Sequence, residues 1–255
     1  MMSASRLTAL AIAAFLVAPL VVILPLAFTS SVFLNYPIPS SSLRWFNELA
    51  TSDAWRRSII NSLIIGAGTC IVATSLGTLA ALGLRTRPVY RGFLRAAFLL
   101  PMIVPAVVLG VGMQIVFAKV GLASSYLGVI VAHTVVAVPF VLVSVSASLE
   151  GIDGHAERAA ASLGASPSVV LRRITLPLAL PGILSGAVLA FATSLDEVVL
   201  TLFVAGPNQR TLARQMFSTI RENISPSIAA AAFVIIIGTV VLILGLSAVR
   251  RTIRG

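Results

Sequence analysis

The chain has 255 residues, 58% of them hydrophobic and 10% charged, with mean hydropathy +1.05 and a formal net charge of +10. Soluble domains carry about 25% charged residues, so most of this surface faces a medium other than water, and lipid is the solvent that fits. The single cysteine, Cys70, excludes an intrachain disulfide and leaves a metal-cluster reading without ligands. The arginines sit at the edges of apolar runs, as topology signals do, and form no basic patch with aromatics; nucleic acid is excluded as a partner.

Apolar runs near the roughly 20 residues that cross a bilayer predict six spans, at about 7–29, 61–84, 93–118, 122–148, 181–204 and 227–249. The first is longer than the 7–15 residues of a signal-peptide core, contains Pro19 and Pro25, and lacks a small-x-small cleavage site, so it is expected to be retained. The loop at about 30–60 is amphipathic, and its Trp45, Phe46 and Trp55 are expected at headgroup level. In the second span Gly66, Cys70, Thr74 and Thr78 recur every fourth residue, as do Ala73, Gly77 and Ala81; small residues so spaced let helix backbones approach closely. Pro101 and Pro105 each remove a backbone donor and should bend or interrupt the third span. Lys119-Val120-Gly121 reads as a tight turn into the fourth, where His133 is expected to hydrogen-bond between helices.

If all six runs cross, both ends lie on one side. That side holds eleven basic residues (Arg6, Arg85, Arg87, Arg91, Arg95, Arg158, Arg172, Arg173, Arg250, Arg251 and Arg254). The other holds seven: Arg44, Arg56, Arg57, Lys119, Arg210, Arg214 and Arg221. The positive-inside rule then places both termini and the 149–180 loop in the cytoplasm.

That loop is long and polar for so oily a chain. A helix is predicted from about Asp153 to Leu163, stopped by Gly164. Ser166-Pro167 should start a second one, as N-cap and first-turn proline, and Leu176-Pro177 with Pro181 should end it. Ala159, Ala160 and Leu163 make a small apolar face ringed by Arg158, Arg172 and Arg173. Such a face either inserts into a groove on another protein or covers its own bundle.

The run Ala159-Ala160-x-x-x-Gly164, nine residues, Ile174-x-Leu176-Pro177 resembles the "EAA" loop of ABC-importer permeases at that family's spacing. Arg158 stands where the family usually has Glu, with Glu157 one place earlier. The stretches Ser42-Leu43-Arg44-Trp45-Phe46, Asn61-Ser62-Leu63, Leu100-Pro101 to Pro105, Ser194-Leu195-Asp196-Glu197-Val198-Val199 and Phe203-Val204-Ala205-Gly206-Pro207 resemble the spermidine/putrescine permease branch. Thr211-Leu212 and Ile224-Ser225-Pro226 continue it, with Ala213 where a Pro is common.

The resemblance implies an all-α membrane protein of type I importer architecture, a single permease domain over 1–255, in a bacterial inner membrane. It also implies that Glu157, Arg158, Ala159, Ala160, Leu163, Gly164, Ile174, Leu176 and Pro177 couple the chain to an ATPase. The partners it implies are a second homologous permease subunit, two cytoplasmic ATPase subunits that hold ATP and Mg, and a periplasmic substrate-binding protein. The chain itself has no G-x-x-x-x-G-K-[ST] phosphate loop, so no cofactor of its own is expected and energy must come from a partner.

Asp196 and Glu197 are the acidic residues well inside an apolar run, where an Asp costs about 2.5–3.5 kcal/mol. Thr193, Glu197 and Thr201 fall at i, i+4 and i+8 and predict a polar stripe along a translocation path, with Asp196 near Thr193 and Gln114 a weaker member. Carboxylates on a path favour a small cation such as putrescine or spermidine; one of the pair capping or ion-pairing locally is the alternative. Opines, aminophosphonates and other small solutes stay open. Arg210, Arg214, Arg221 and Glu222, on an amphipathic stretch at 210–222, either steer a periplasmic binding protein or form a solvated face. An ion-coupled secondary transporter would normally need internal repeats, and none is evident. A membrane enzyme lacks the inventory: two separated histidines, one cysteine and no nucleophile–base grouping.

Overall fold

The computed structural model describes the backbone of residues 4–86 and 88–254, and their side chains except those of 4, 242, 243 and 246–254. Arg87 and the side chains of Arg250, Arg251 and Arg254, counted above for topology, lie outside the described residues. Twelve α-helices account for most of the described backbone, and the β contribution among the described residues is an isolated bridge between Thr29 and Ser41. The chain divides into two compact units.

Unit 1 comprises Met1–Arg57 and Gln215–Val241. It begins with α1 (Ala4–Ile23), a helix apolar on every side whose membrane-length window has none of its residues buried. α2 (Arg44–Thr51) follows, and here the headgroup expectation fails. Trp45 and Trp55 are 5% and 4% exposed, and Phe46 packs with Phe28 and Phe233 at centroid separations of 5.1–5.6 Å. The reason is chemical: the Trp45 indole N–H donates to the Thr29 carbonyl at 2.8 Å, so its polar edge is satisfied inside the protein and needs no headgroup.

Unit 2, Ser58–Arg214 with Leu242–Gly255, carries the bundle. α3 (Asp53–Arg85) enters it, and α4 (Arg91–Leu99), α5 (Ala106–Val120) and α6 (Tyr126–Glu150) follow. α6 is its centre, with 56% of its apolar window buried. Val141 on α6 explains why. A Cβ added at Gly77 of α3 would lie 2.6 Å from the Val141 Cβ, and one at Gly186 would lie 3.1 Å from its Cα. Two glycines thus admit helices to either side of one valine, as the small-residue stripe predicts. Ala73 and Ala81 are buried on that stripe, while Gly66 abuts Phe191 and the Cys70 thiol donates to the Ala187 carbonyl at 3.3 Å.

One span expectation holds and another needs correction. The third is not one straight rod: α4 with a 3-10 turn at Leu100–Met102 meets α5 at 97°. Pro101 and Pro105, lacking amide protons, cannot continue the ladder there. The Gly121 turn does form, with φ +74°. The fifth span does not begin at 181. α7 (Gly154–Ser162) and α8 (Pro167–Val170) lead through a π-helical turn, Leu171–Thr175, straight into α9 (Leu176–Asp196), so Pro177 and Pro181 lie inside the helix and do not end it. The Leu176 N–H reaches five residues back to the Leu171 carbonyl, and Pro177 then falls in the first turn of α9, where its missing donor costs nothing.

After α9 come α10 (Val199–Val204), α11 (Leu212–Glu222) and α12 (Ser227–Arg254). By length and composition four helices can cross a membrane, or five if the bent α4–α5 pair counts as one. Of the predicted sixth span, Ser227–Val241 is a shorter apolar helix, and most side chains beyond it lie outside the described residues.

Candidate functional site

Two polar constructions stand out in unit 2. The first is the loop after α6. The Asp153 carboxylate accepts from the His155 N–H at 2.9 Å and starts α7. At the other end the Gly164 N–H reaches the Ala161 carbonyl and the Ala165 N–H the Ala160 carbonyl, both at 3.0 Å, with Gly164 at φ +85°. This is a Schellman stop, which glycine adopts without a Cβ penalty. The predicted helix–Gly–helix knuckle is therefore present, with Ser166 and Pro167 opening α8.

Its faces differ. Arg158, Ala159, Gly164 and Pro177 are exposed, and Leu163 is 89% exposed; Ala160, Ile174 and Leu176 are half-buried. Glu157 turns the other way. Its carboxylate accepts two hydrogen bonds from the Arg85 guanidinium, at 2.7 and 3.0 Å, and one from the Thr175 hydroxyl at 2.6 Å. The Arg85 hydrogen bonds hold its carboxyl below the usual glutamate range, against a smaller opposing effect of burial. Glu157, grouped with the docking residues by sequence, is thus tied to its own chain. In the sequence Arg85 stands out only as a topology charge, and it lies 72 residues from its partner, beyond any local pattern.

The second construction is the break between α9 and α10. The stripe Thr193–Glu197–Thr201 required one continuous helix, and that register is wrong: α9 ends at Asp196 and Glu197 is extended, with φ −76° and ψ 108°. A Glu197 carboxylate oxygen accepts from the Leu200 N–H at 2.9 Å, capping the start of α10. Thr201 is fully buried, and its hydroxyl donates to the Glu197 carbonyl at 2.9 Å. Having spent its one proton there, that hydroxyl accepts from Nε2–H of His133 at 3.0 Å, so Nδ1 accepts from Ser194 at 2.8 Å. His133, itself 0% exposed, bonds between helices as expected and ties both sides of the break to α6.

At the far end of α10 the Arg214 guanidinium donates to the carbonyls of Thr201 and Ala205 at 3.2 and 2.9 Å. Arg214, half-buried, is thereby held against the end of α10. A carboxylate at the N-terminus and a guanidinium at the C-terminus complement the dipole of this six-residue helix. Asp196 is exposed and makes no hydrogen bond or ion pair among the described residues; Thr193 is half-buried and Gln114 exposed. Asn61 holds the connection beyond α10, its amide donating to the Asn208 and Arg210 carbonyls at 2.9 Å each while its carbonyl oxygen accepts from Tyr126 at 2.7 Å. Among the described residues no group of three His, Cys, Asp or Glu could hold a metal.

Comparison with known proteins agrees with this geometry. Residues 73–254 match the model of the binding-protein-dependent transport system inner membrane component family. The spermidine/putrescine transport system permease PotC of Escherichia coli K12 is 30% identical over 94% of this chain and 91% of its own length. The putrescine permease PotI of the same strain is 35% identical over 87% of this chain and 82% of its own. The molybdenum transport system permease ModB of Mycobacterium bovis is 32% identical over 87% and 91%. In fold the chain is similar to a chain of a bacterial alginate ABC transporter solved with a periplasmic protein, at TM-score 0.74 over 98% of this chain and 93% of that one, with 18% identity. A small-residue helical bundle, a Gly-stopped knuckle and these matches converge: the chain belongs to the binding-protein-dependent inner-membrane component family and is a multi-pass ABC importer permease of the type I fold.

Proposed function

We propose that this permease moves a small cationic solute of the polyamine class, such as putrescine or spermidine, from periplasm to cytoplasm, with both termini and the α7–α8 knuckle on the cytoplasmic side. The observation that carries the substrate class is Asp196: an exposed, unpaired carboxylate at the end of a membrane helix, beside a Glu197 whose carboxylate is already engaged. An intramembrane carboxylate without a protein partner calls for a water-filled path or a cation. The likeness to PotC and PotI supports the same class, while ModB keeps a different solute as the second reading. Thr193, on the last turns of α9, belongs to this path; Gln114 is its second, more remote candidate, and Thr201 acts behind it as support.

ATP and Mg are held by two ATPase subunits that receive the knuckle through Arg158, Ala159, Leu163 and Gly164, supported by Ala160, Ile174, Leu176 and Pro177. A second permease completes the path, and a periplasmic binding protein delivers the solute. The test is reconstitution with the importer components encoded next to this chain, followed by uptake of labelled putrescine. Asp196→Asn is expected to lower uptake about tenfold with ATPase association intact, and Gly164→Pro to abolish that association. Unchanged putrescine uptake in Asp196→Asn removes the polyamine assignment, and an ATPase that still binds Gly164→Pro removes the docking one.

A further inference from the structure

Glu157 points away from the surface that would meet an ATPase, and its three hydrogen bonds end on two different membrane helices. Arg85 is the last residue of α3, and Thr175 the last of the π-turn that opens into α9. One carboxylate thus holds α7, α3 and the root of α9 together. We propose that Arg85, Glu157 and Thr175 form the joint through which movement of α7 is passed to α3 and α9, with Glu157 as its positioning residue. The proposal rests on the importer reading above and assigns a transmission point within it.

Three observations carry it. First, the space around the joint is open. A cavity of about 590 Å³ lies between the end of α3 and the knuckle, lined by Leu82, Ala161, Pro167 and Leu171 beside the three joint residues. Apolar packing does not fill this gap, so directional bonds carry the connection. Bidentate Arg–carboxylate bonds fix orientation as well as distance.

Second, Thr175 ends a π-turn. Such a turn holds one residue more than the α-helix around it and marks sites where a helix can change register. Glu157 pins that turn at its end, so a displacement of α7 acts on α9 at its most adaptable point. α9 then runs 21 residues, about 30 Å, to Asp196. Third, the knuckle divides its labour. Arg158, Ala159 and Leu163 remain exposed for a partner, while the adjacent Glu157 is committed inward. The charges that bear on Glu157 are Arg85 from α3 and Arg158 from its own helix.

The decisive experiment is charge reversal in the reconstituted complex, read as putrescine moved per ATP hydrolysed. Arg85→Glu and Glu157→Arg are each expected to lower this ratio at least tenfold while the ATPase stays bound and hydrolyses ATP. The double reversal should restore at least half of the wild-type ratio. Thr175→Val, which keeps the ion pair, should lower it two- to threefold. Single reversals within twofold of wild type, or a double reversal no better than the singles, overturn the joint; so does release of the ATPase by either single reversal, which would make Glu157 a docking residue.

A second readout needs no solute and separates this proposal from the polyamine reading. Spin labels at Ser162→Cys and Leu178→Cys in a Cys70→Ser background report whether α7 and α9 move together. A distance unchanged by ATP in the wild type and broadened by Glu157→Gln supports the joint, even if putrescine is not transported. ATP-driven separation in the wild type overturns it.

Discussion

Glu157, in the first turns of α7, and Glu197, at the break between α9 and α10, are stabilised by opposite means. Glu157 is met by a full positive charge from a helix distant in sequence, in a bidentate pair. Glu197 is met by a backbone N–H three residues on, with a buried hydroxyl and imidazole arranged behind it. The first arrangement ties separate elements together and leaves room between them. The second finishes a local turn and fixes where one helix ends and the next begins. A carboxylate in a membrane protein therefore has no single meaning. What it does depends on what answers it, and beside the engaged Glu197 the carboxylate of Asp196 has no hydrogen-bond or ion-pair partner among the described residues.

The contrast can be broken most severely at His133. Replacing it by Phe strands the Ser194 hydroxyl and removes the donor to Thr201, at a cost of about 1–3 kcal/mol for buried polar groups left unpaired. The expected outcome is a lower melting temperature of the purified complex together with lost uptake. His133→Phe at wild-type stability would show that the break does not depend on this network.

A smaller effect should come from pH at Glu157. Its folded pKa is lowered, so the stabilisation is present above the ordinary glutamate range and is lost as pH falls through the lowered value. Melting temperature should be indifferent to Glu157 between neutral pH and about 5, then fall in acid. Thr175→Val should move that fall to higher pH, because it removes a hydrogen bond that favours the charged form. An identical acid profile in Thr175→Val would separate the hydroxyl from the carboxylate.

The mildest prediction concerns Arg214→Gln. It keeps a donor but removes the charge facing the end of α10, an interaction worth roughly 0.3–1 kcal/mol. Faster amide exchange confined to 199–205, with the bundle unaffected, is the expected readout. No change there would show that the caps at Glu197 suffice.

Much of this was legible in the sequence because it depends on local rules. Gly164 announced its left-handed stop, the α3 glycines and alanines their close approach, and Pro101 and Pro105 their interruption. What could not be read depends on distance or compensation. No local pattern pairs Arg85 with Glu157. Pro177 and Pro181 looked like stops, yet α9 runs through both, with Pro177 set just after a π-turn that no local pattern announces. Trp45 looked interfacial until a carbonyl sixteen residues away satisfied its N–H. The stripe through Thr201 failed for the same reason: helical spacing was extended across a break that Glu197, Ser194 and His133 jointly create.

α10 has a further consequence. Six residues are far too few to hold a helix in isolation, since helices shorter than about 12–15 residues are marginal even in favourable sequences. Its order is borrowed from the groups at its two ends and from the core in which Leu200 and Val204 are buried with Ile65, Phe117 and Val129. Its helicity is therefore conditional: the caps at its two ends and the core beside it must all be in place for six residues to stay helical.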